Sequence, residues 1–130
     1  MAKILIVDDE HTIRELFKYV FEDAGHEVAM ANNGREALAA VRGDLPDFMV
    51  LDVAMPEMSG KEFVLELKRL SAADRALGTI PFVVMTGENF MDRELNSVFS
   101  SASGFVCFFP KMTPPETVLQ AAETALKGRA

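Results

Sequence analysis

Apolar residues follow two rhythms along this chain. Short continuous runs occur at Ile4-Leu5-Ile6-Val7, Phe48-Met49-Val50-Leu51, Phe82-Val83-Val84-Met85 and Phe105 to Phe109. Such runs, bounded by turn residues, predict strands buried on both faces. Glu27 to Ala31 predicts a weaker strand. Between the runs, apolar residues return every three or four positions. Ile13, Leu16, Phe17, Val20, Phe21 and Ala24 predict one face of a first helix, with Gly25 at its C-cap. Asn33-Gly34-Arg35-Glu36 and Ser59-Gly60-Lys61-Glu62 each pair an N-cap acceptor with a glutamate three residues on, the capping-box pattern. They open helices through Ala37, Leu38 and Val41, and through Phe63, Val64, Leu67 and Leu70. Ser71 to Thr79 is polar and reads as a surface loop. Leu95, Val98, Phe99 and Ala102 give a fourth helical stripe. Thr113-Pro114-Pro115-Glu116 predicts a Thr N-cap, Pro at the first helical position and Glu at the third. The last helix then runs through Val118, Leu119, Ala122 and Leu126 to Gly128.

Strands alternating with helices predict an α/β fold: a doubly wound, five-stranded parallel sheet with five helices on both faces. Right-handed crossovers leave few windings. The order 2-1-3-4-5 places strands one and three side by side at the switch point, where the carboxyl ends of strands open a crevice. Asp8-Asp9-Glu10 follow the first strand, Asp52 ends the third, Thr86 ends the fourth and Lys111 follows the fifth. Taken singly, these residues read as a helix cap, a solvent-facing hydroxyl and a surface lysine. Together they change meaning. Carboxylates crowded into one crevice repel one another, so a proton or a cation must offset them. An all-oxygen ligand set suits Mg2+. Metal, carboxylate nucleophile, hydroxyl donor and ammonium are the parts needed for phosphoryl transfer onto a carboxylate.

Composition narrows the partners. With 130 residues, 49% of them hydrophobic, the chain suits one domain spanning 1–130, without repeats, linker or low-complexity tract. A net charge of -7 argues against direct DNA binding and against an anionic membrane surface. No apolar stretch is long enough for membrane insertion. Met1-Ala2-Lys3 leads straight into a strand, so no secretory signal is expected. The one cysteine, Cys107, fits a reducing cytoplasm and reads as a buried, inert thiol. His11 reads as a surface residue and His26 as a turn residue. The eight methionines read as core filler.

The residues Asp8-Asp9-Glu10, Asp52-Val53-Ala54-Met55-Pro56, Ser59-Gly60, Thr86 and Lys111, in that order and spacing, resemble the receiver domain of two-component response regulators, the CheY-like family. The match runs from about Lys3 to Lys127, and the flavodoxin-like order 2-1-3-4-5 rests partly on it. The resemblance implies a phosphorylation-controlled signalling switch rather than a metabolic enzyme. Asp52 would accept a phosphoryl group from a sensor histidine kinase or a phosphotransfer protein. Asp9, Asp52 and the Ala54 backbone carbonyl would ligate Mg2+, with Asp8 acting chiefly through water. Lys111 and Thr86 would meet the phosphoryl oxygens. Thr86 and Phe108 would form the switch, and the fourth helix, fifth strand and fifth helix the surface read by a downstream effector protein. Ala54 and Glu88 occupy positions that tune phosphoryl lifetime.

Some features depart from the family pattern. Lys111 is followed by Met112, where the family commonly has a proline with a cis bond; a non-proline cis bond costs about 2.5–4 kcal/mol, so a trans bond is expected. The Thr86 to Lys111 segment is a few residues longer than usual, and Phe105 stands where a small residue is commoner. Three other readings compete. A degenerate receiver would act as a docking module. A Mg2+-dependent phosphatase would pass through an aspartyl-phosphate, but it wants a second acid where Ala54 stands. A flavin module would need a phosphate cradle where Asp8-Asp9-Glu10 would repel phosphate. No output segment fits after Gly128, so the expected effect comes from binding a partner or passing the phosphoryl group on. The pattern fits equally a receiver cut from a longer chain.

Overall fold

A computed structural model describes residues 2–53, 58–86 and 93–128. Five strands, β1 (Lys3–Val7), β2 (Glu27–Ala31), β3 (Phe48–Asp52), β4 (Phe82–Thr86) and β5 (Phe105–Pro110), alternate with α1 (His11–Asp23), α2 (Gly34–Gly43), α3 (Gly60–Leu70), α4 (Arg93–Ser100) and α5 (Pro115–Gly128). All strand pairings are parallel, in the expected order 2-1-3-4-5.

Alternation along the strands builds two cores, since successive side chains point to opposite faces. Leu5, Val7, Met49, Leu51, Phe82 and Val84 pack with Ala37, Val41, Phe63, Val64, Leu67 and Phe99 from α2, α3 and α4. Ile4, Ile6, Phe48, Val50, Val83 and Met85 pack with Phe17, Phe21, Val118 and Ala122 from α1 and α5. Burying a phenylalanine such as Phe21, Phe48, Phe63 or Phe99 contributes about 1.5–3 kcal/mol. Every residue of β3 is buried, whereas the edge strand β2 buries only Ala31, which explains its weaker pattern.

The caps hold locally. Ser59 and Glu62 form a reciprocal capping box. Asn33 Oδ1 accepts from Glu36 N at 2.9 Å, while Glu36 Oε1 takes the Asn32 amide, one residue ahead of the cap, at 2.7 Å. Gly25, at φ 94°, is the left-handed residue after α1.

Several expectations need correction. Leu16 is 49% exposed, because the buried arc of α1 turns toward Phe17 and Phe21 and leaves Leu16 at its margin. Ser71 to Thr79 is not wholly irregular: a 3-10 turn at Arg75–Gly78 tucks Leu77 into the core, with Asp74 Oδ1 capping the Ala76 amide. The last helix begins one residue later than expected. Pro115, not Pro114, is its first residue, and the Pro114 carbonyl accepts from Thr117 N at 3.0 Å. Cys107 is half-buried, and its burial still raises the thiol above its ordinary value, which keeps it unreactive. His26 is tied in more firmly than a turn residue need be. Its Nδ1 accepts from Ala2 N at 3.2 Å, and its Nε2 lies 3.3 Å from Glu123 on α5. The side chain of Leu95 lies outside the described residues, as do Ala54 and Glu88.

Candidate functional site

The switch point places β1 and β3 side by side, with Val7 paired to Leu51, so the residues just past each strand share one rim. There the carboxylates of Asp8, Asp9 and Asp52 each present an oxygen, and these oxygens lie within 4.8 Å of one another. Asp8 and Asp52 are buried and Asp9 is exposed, so the cluster opens to water on the Asp9 side.

Asp52 is the unusual member. It is 0% exposed, and neither carboxylate oxygen has a hydrogen-bond partner among the described residues. Lys111 Nζ lies 3.2 Å from Oδ1, an ion-pair contact without hydrogen-bond alignment. Burial, and then the Asp8 charge, push the Asp52 carboxyl up to about 6, against the pull of Lys111. Asp8 is also raised, mainly by burial, although its side chain accepts a backbone hydrogen bond that opposes the shift. Burial works against the charged form of Lys111, but Asp52 and Asp8 outweigh it and hold the ammonium above the ordinary lysine value.

A buried carboxylate with idle oxygens, beside two more acids, is a set of unspent oxygen donors. Those donors fit a hard divalent cation such as Mg2+, which Asp8, Asp9 and Asp52 could hold. The backbone carbonyl of Ala54, the fourth expected ligand, lies outside the described residues.

The chain ends that carry the site are stitched together locally. Asp8 does not cap α1, whose N-cap residue Glu10 lacks a side-chain cap; its Oδ1 instead accepts from Glu10 N at 2.9 Å and braces the turn ahead of the helix. Lys111 N donates to the Thr86 carbonyl at 3.0 Å, fixing the start of the lysine loop to the end of β4. Thr86 itself is buried, one position beyond Met85, the β4 partner of Asp52. Phe108 packs in the core on the α3 and α4 side, with its ring 6.0 Å from Phe99 and 4.9 Å from Phe105. Met112 is 93% exposed, and the described peptide bonds are trans.

Arg14 does not stand out in the sequence pattern. Its Nη1 donates to the Asp8 carbonyl at 2.7 Å and to Asn32 Oδ1 at 2.9 Å, joining the turn after β1 to the turn after β2. An arginine one turn into a helix that comes after an acid pair is the available clue. Periodicity alone hides it, because the residue lies on the polar side of the stripe.

The winding agrees with known proteins. The family model for the response regulator receiver domain matches residues 4–123, and the chain belongs to that family. Protein PilH of Pseudomonas aeruginosa is 30% identical over 128 residues, covering 98% of this chain and all of that protein. The response regulator SaeR of Staphylococcus aureus is 33% identical over 121 residues, but this chain spans only 49% of its length. The chemotaxis response regulator CheY4 of Vibrio cholerae superposes with a TM-score of 0.80 at 33% identity, covering 96% of this chain and 98% of that one.

Proposed function

We propose that this receiver domain is a phosphorylation-controlled switch in which Asp52 accepts a phosphoryl group from a phosphohistidine on a cytoplasmic histidine kinase or phosphotransfer protein. The observation that carries this reading is the environment of Asp52: a fully buried carboxylate, with no hydrogen bond to either oxygen among the described residues, facing one lysine and two other acids. An Asp52 oxygen forms the new P–O bond as the P–N bond of the phosphoimidazole breaks, and the bonding electrons stay on the imidazole nitrogen. With its carboxyl near 6, Asp52 is mostly ionised at neutral pH and remains a competent nucleophile. Lys111 already stands beside the attacking carboxylate and can follow the charge onto the phosphoryl oxygens. Bound Mg2+ supplies neutralisation of the anionic phosphoryl group. Asp8 and Asp9 are the residues that would share its binding with Asp52.

The product carries about -1.5 to -2 charges at the rim, where the ionised carboxylate carried a single negative charge, and adds three acceptor oxygens. Thr86 offers its hydroxyl to the new acceptors, and Phe108 repacks as it moves. That favours one of two pre-existing arrangements of α4, β5 and α5, the surface read by a downstream effector protein. The reading as a docking module with a degenerate site is weakened by Lys111, whose reach to Asp52 was its main open point.

Incubation with acetyl phosphate and Mg2+, followed by intact mass, tests the proposal. The expected result is a labile gain of one phosphoryl group, absent in Asp52→Asn and absent with chelator. No gain favours the docking module, and turnover of many unrelated phosphomonoesters favours a phosphatase.

A further inference from the structure

A cavity of about 160 Å³ lies at the end of the sheet away from Asp52, where β3 and β4 begin. Met49, Leu67, Leu77 and Phe82 line its apolar part. Lys68, Ser71, Ser101 and Ser103 line its polar part. A comparable apolar void of about 150 Å³ in another protein takes up benzene, so one six-membered ring fits this volume. Two of the serines are poor donors to a ligand, because Ser71 Oγ spends its proton on the Lys68 carbonyl at 2.6 Å and Ser101 Oγ on the Val98 carbonyl at 3.2 Å. Among the described residues, Lys68 is the one charged residue of the lining, and an anionic substituent is what it complements.

Phe82 joins this cavity to the switch region. Its ring lies 6.4 Å from Phe99 and 5.9 Å from Phe105, and both of those rings contact Phe108, at 6.0 and 4.9 Å. The four rings form a closed cycle with edge-on and tilted contacts. Close-packed rings of this kind rearrange together, since the core has little slack to absorb one ring moving alone.

We propose that the cavity binds a small aromatic carboxylate of phenylacetate size, ring against Leu77 and Phe82 and carboxylate toward Lys68, and that occupancy shifts the packing of Phe108. The regulatory half rests on the switching role proposed for Phe108; the binding half does not.

The test is a titration of the unphosphorylated, metal-free protein with phenylacetate, followed by NMR of methyl and aromatic signals. Saturable shifts at Leu67, Leu77 and Phe82, with accompanying shifts at Phe108, are expected. Ala102→Leu fills the cavity from its lining and should abolish the shifts while the melting temperature is kept. Lys68→Gln should weaken phenylacetate about threefold to fivefold, the worth of an exposed ion pair, and leave toluene binding unchanged. Unsaturable shifts, shifts that persist in Ala102→Leu, or shifts centred elsewhere overturn the site. Saturable binding that leaves Phe108 unmoved overturns the coupling. Neither outcome depends on whether Asp52 accepts a phosphoryl group.

Discussion

The rings of Phe105 and Phe108 lie 4.9 Å apart on the same face of the sheet, although three positions separate them along β5. Strict alternation would send them to opposite faces. A bulge resolves the conflict. Phe82 pairs with Phe105 and Val83 with Cys107, so Val106 is the extra residue, and it is 38% exposed. Cys107 and Phe109 consequently face the α1 and α5 core while Phe105 and Phe108 face the other. Deleting Val106 should therefore regularise β5 without flipping any later side chain. The expected change in urea-denaturation stability is within about 1 kcal/mol, whereas deleting Val84 from β4 inverts a buried register and should abolish folding.

Asp52 makes stability depend on pH with a definite sign. Its folded-state value, about 6, lies above the ordinary 3.8, so the folded state holds this proton more tightly than the unfolded chain. The stabilisation is full below about pH 4 and is lost as pH rises through about 6. Asp8 is shifted in the same direction. In chelator, Asp52→Asn should be more stable than the parent at neutral pH, by at most about 3 kcal/mol, and the gap should narrow toward about pH 4. Adding Mg2+ should narrow it from the other side. Thermal melts across pH, with and without the ion, check both.

Removing the lysine separates metal binding from chemistry. Lys111→Met leaves Asp52 beside Asp8 with no compensating cation, so the Asp52 carboxyl should rise further above its ordinary value. Calorimetric Mg2+ binding should persist at mildly alkaline pH, while acetyl phosphate labelling slows by about tenfold or more through loss of charge stabilisation.

Gly60 packs against the backbone of Asp52. A Cβ added there would fall 2.4 Å from the Asp52 carbonyl oxygen. Gly60→Ala should cost about 1–3 kcal/mol in chemical denaturation and displace the end of β3. The same variant should also label more slowly.

Arg14 acts on the site through the backbone of Asp8. Arg14→Gln removes the charged clamp between the two turns and should weaken Mg2+ by about tenfold, as loss of an outer support typically does. Calorimetry on the variant, with its fold checked by circular dichroism, measures this.

The winding and the acid cluster were legible because they rest on short apolar runs and on the polar residues that close each run. Ile4 to Val7 and Phe48 to Leu51 read as buried strands, and the order 2-1-3-4-5, which rests partly on the family resemblance, then brings Asp8, Asp9 and Asp52 to one rim. Other features depend on where the chain bends. Leu77 looked like part of a polar loop because a single apolar residue has no period. The bulge at Val106 was hidden because a continuous run from Phe105 to Phe109 reads the same with or without an extra residue. Lys111 could be placed after β5 from the sequence, but its aim depended on the backbone bond to Thr86. Arg14 and His26 act through side-chain contacts with residues distant in sequence, which no local pattern records.

Strand β3 is sealed along its whole length and flanked on both sides by β1 and β4. Its amides should be among the last to exchange with deuterium, opening only when the whole molecule opens. A strand so locked is a rigid post: it can hold Asp52 still but has no freedom to carry news of what happens there. Under the proposed function, whatever an effector senses would leave by the neighbouring strand ends, through Thr86 and Lys111, while the post stays put.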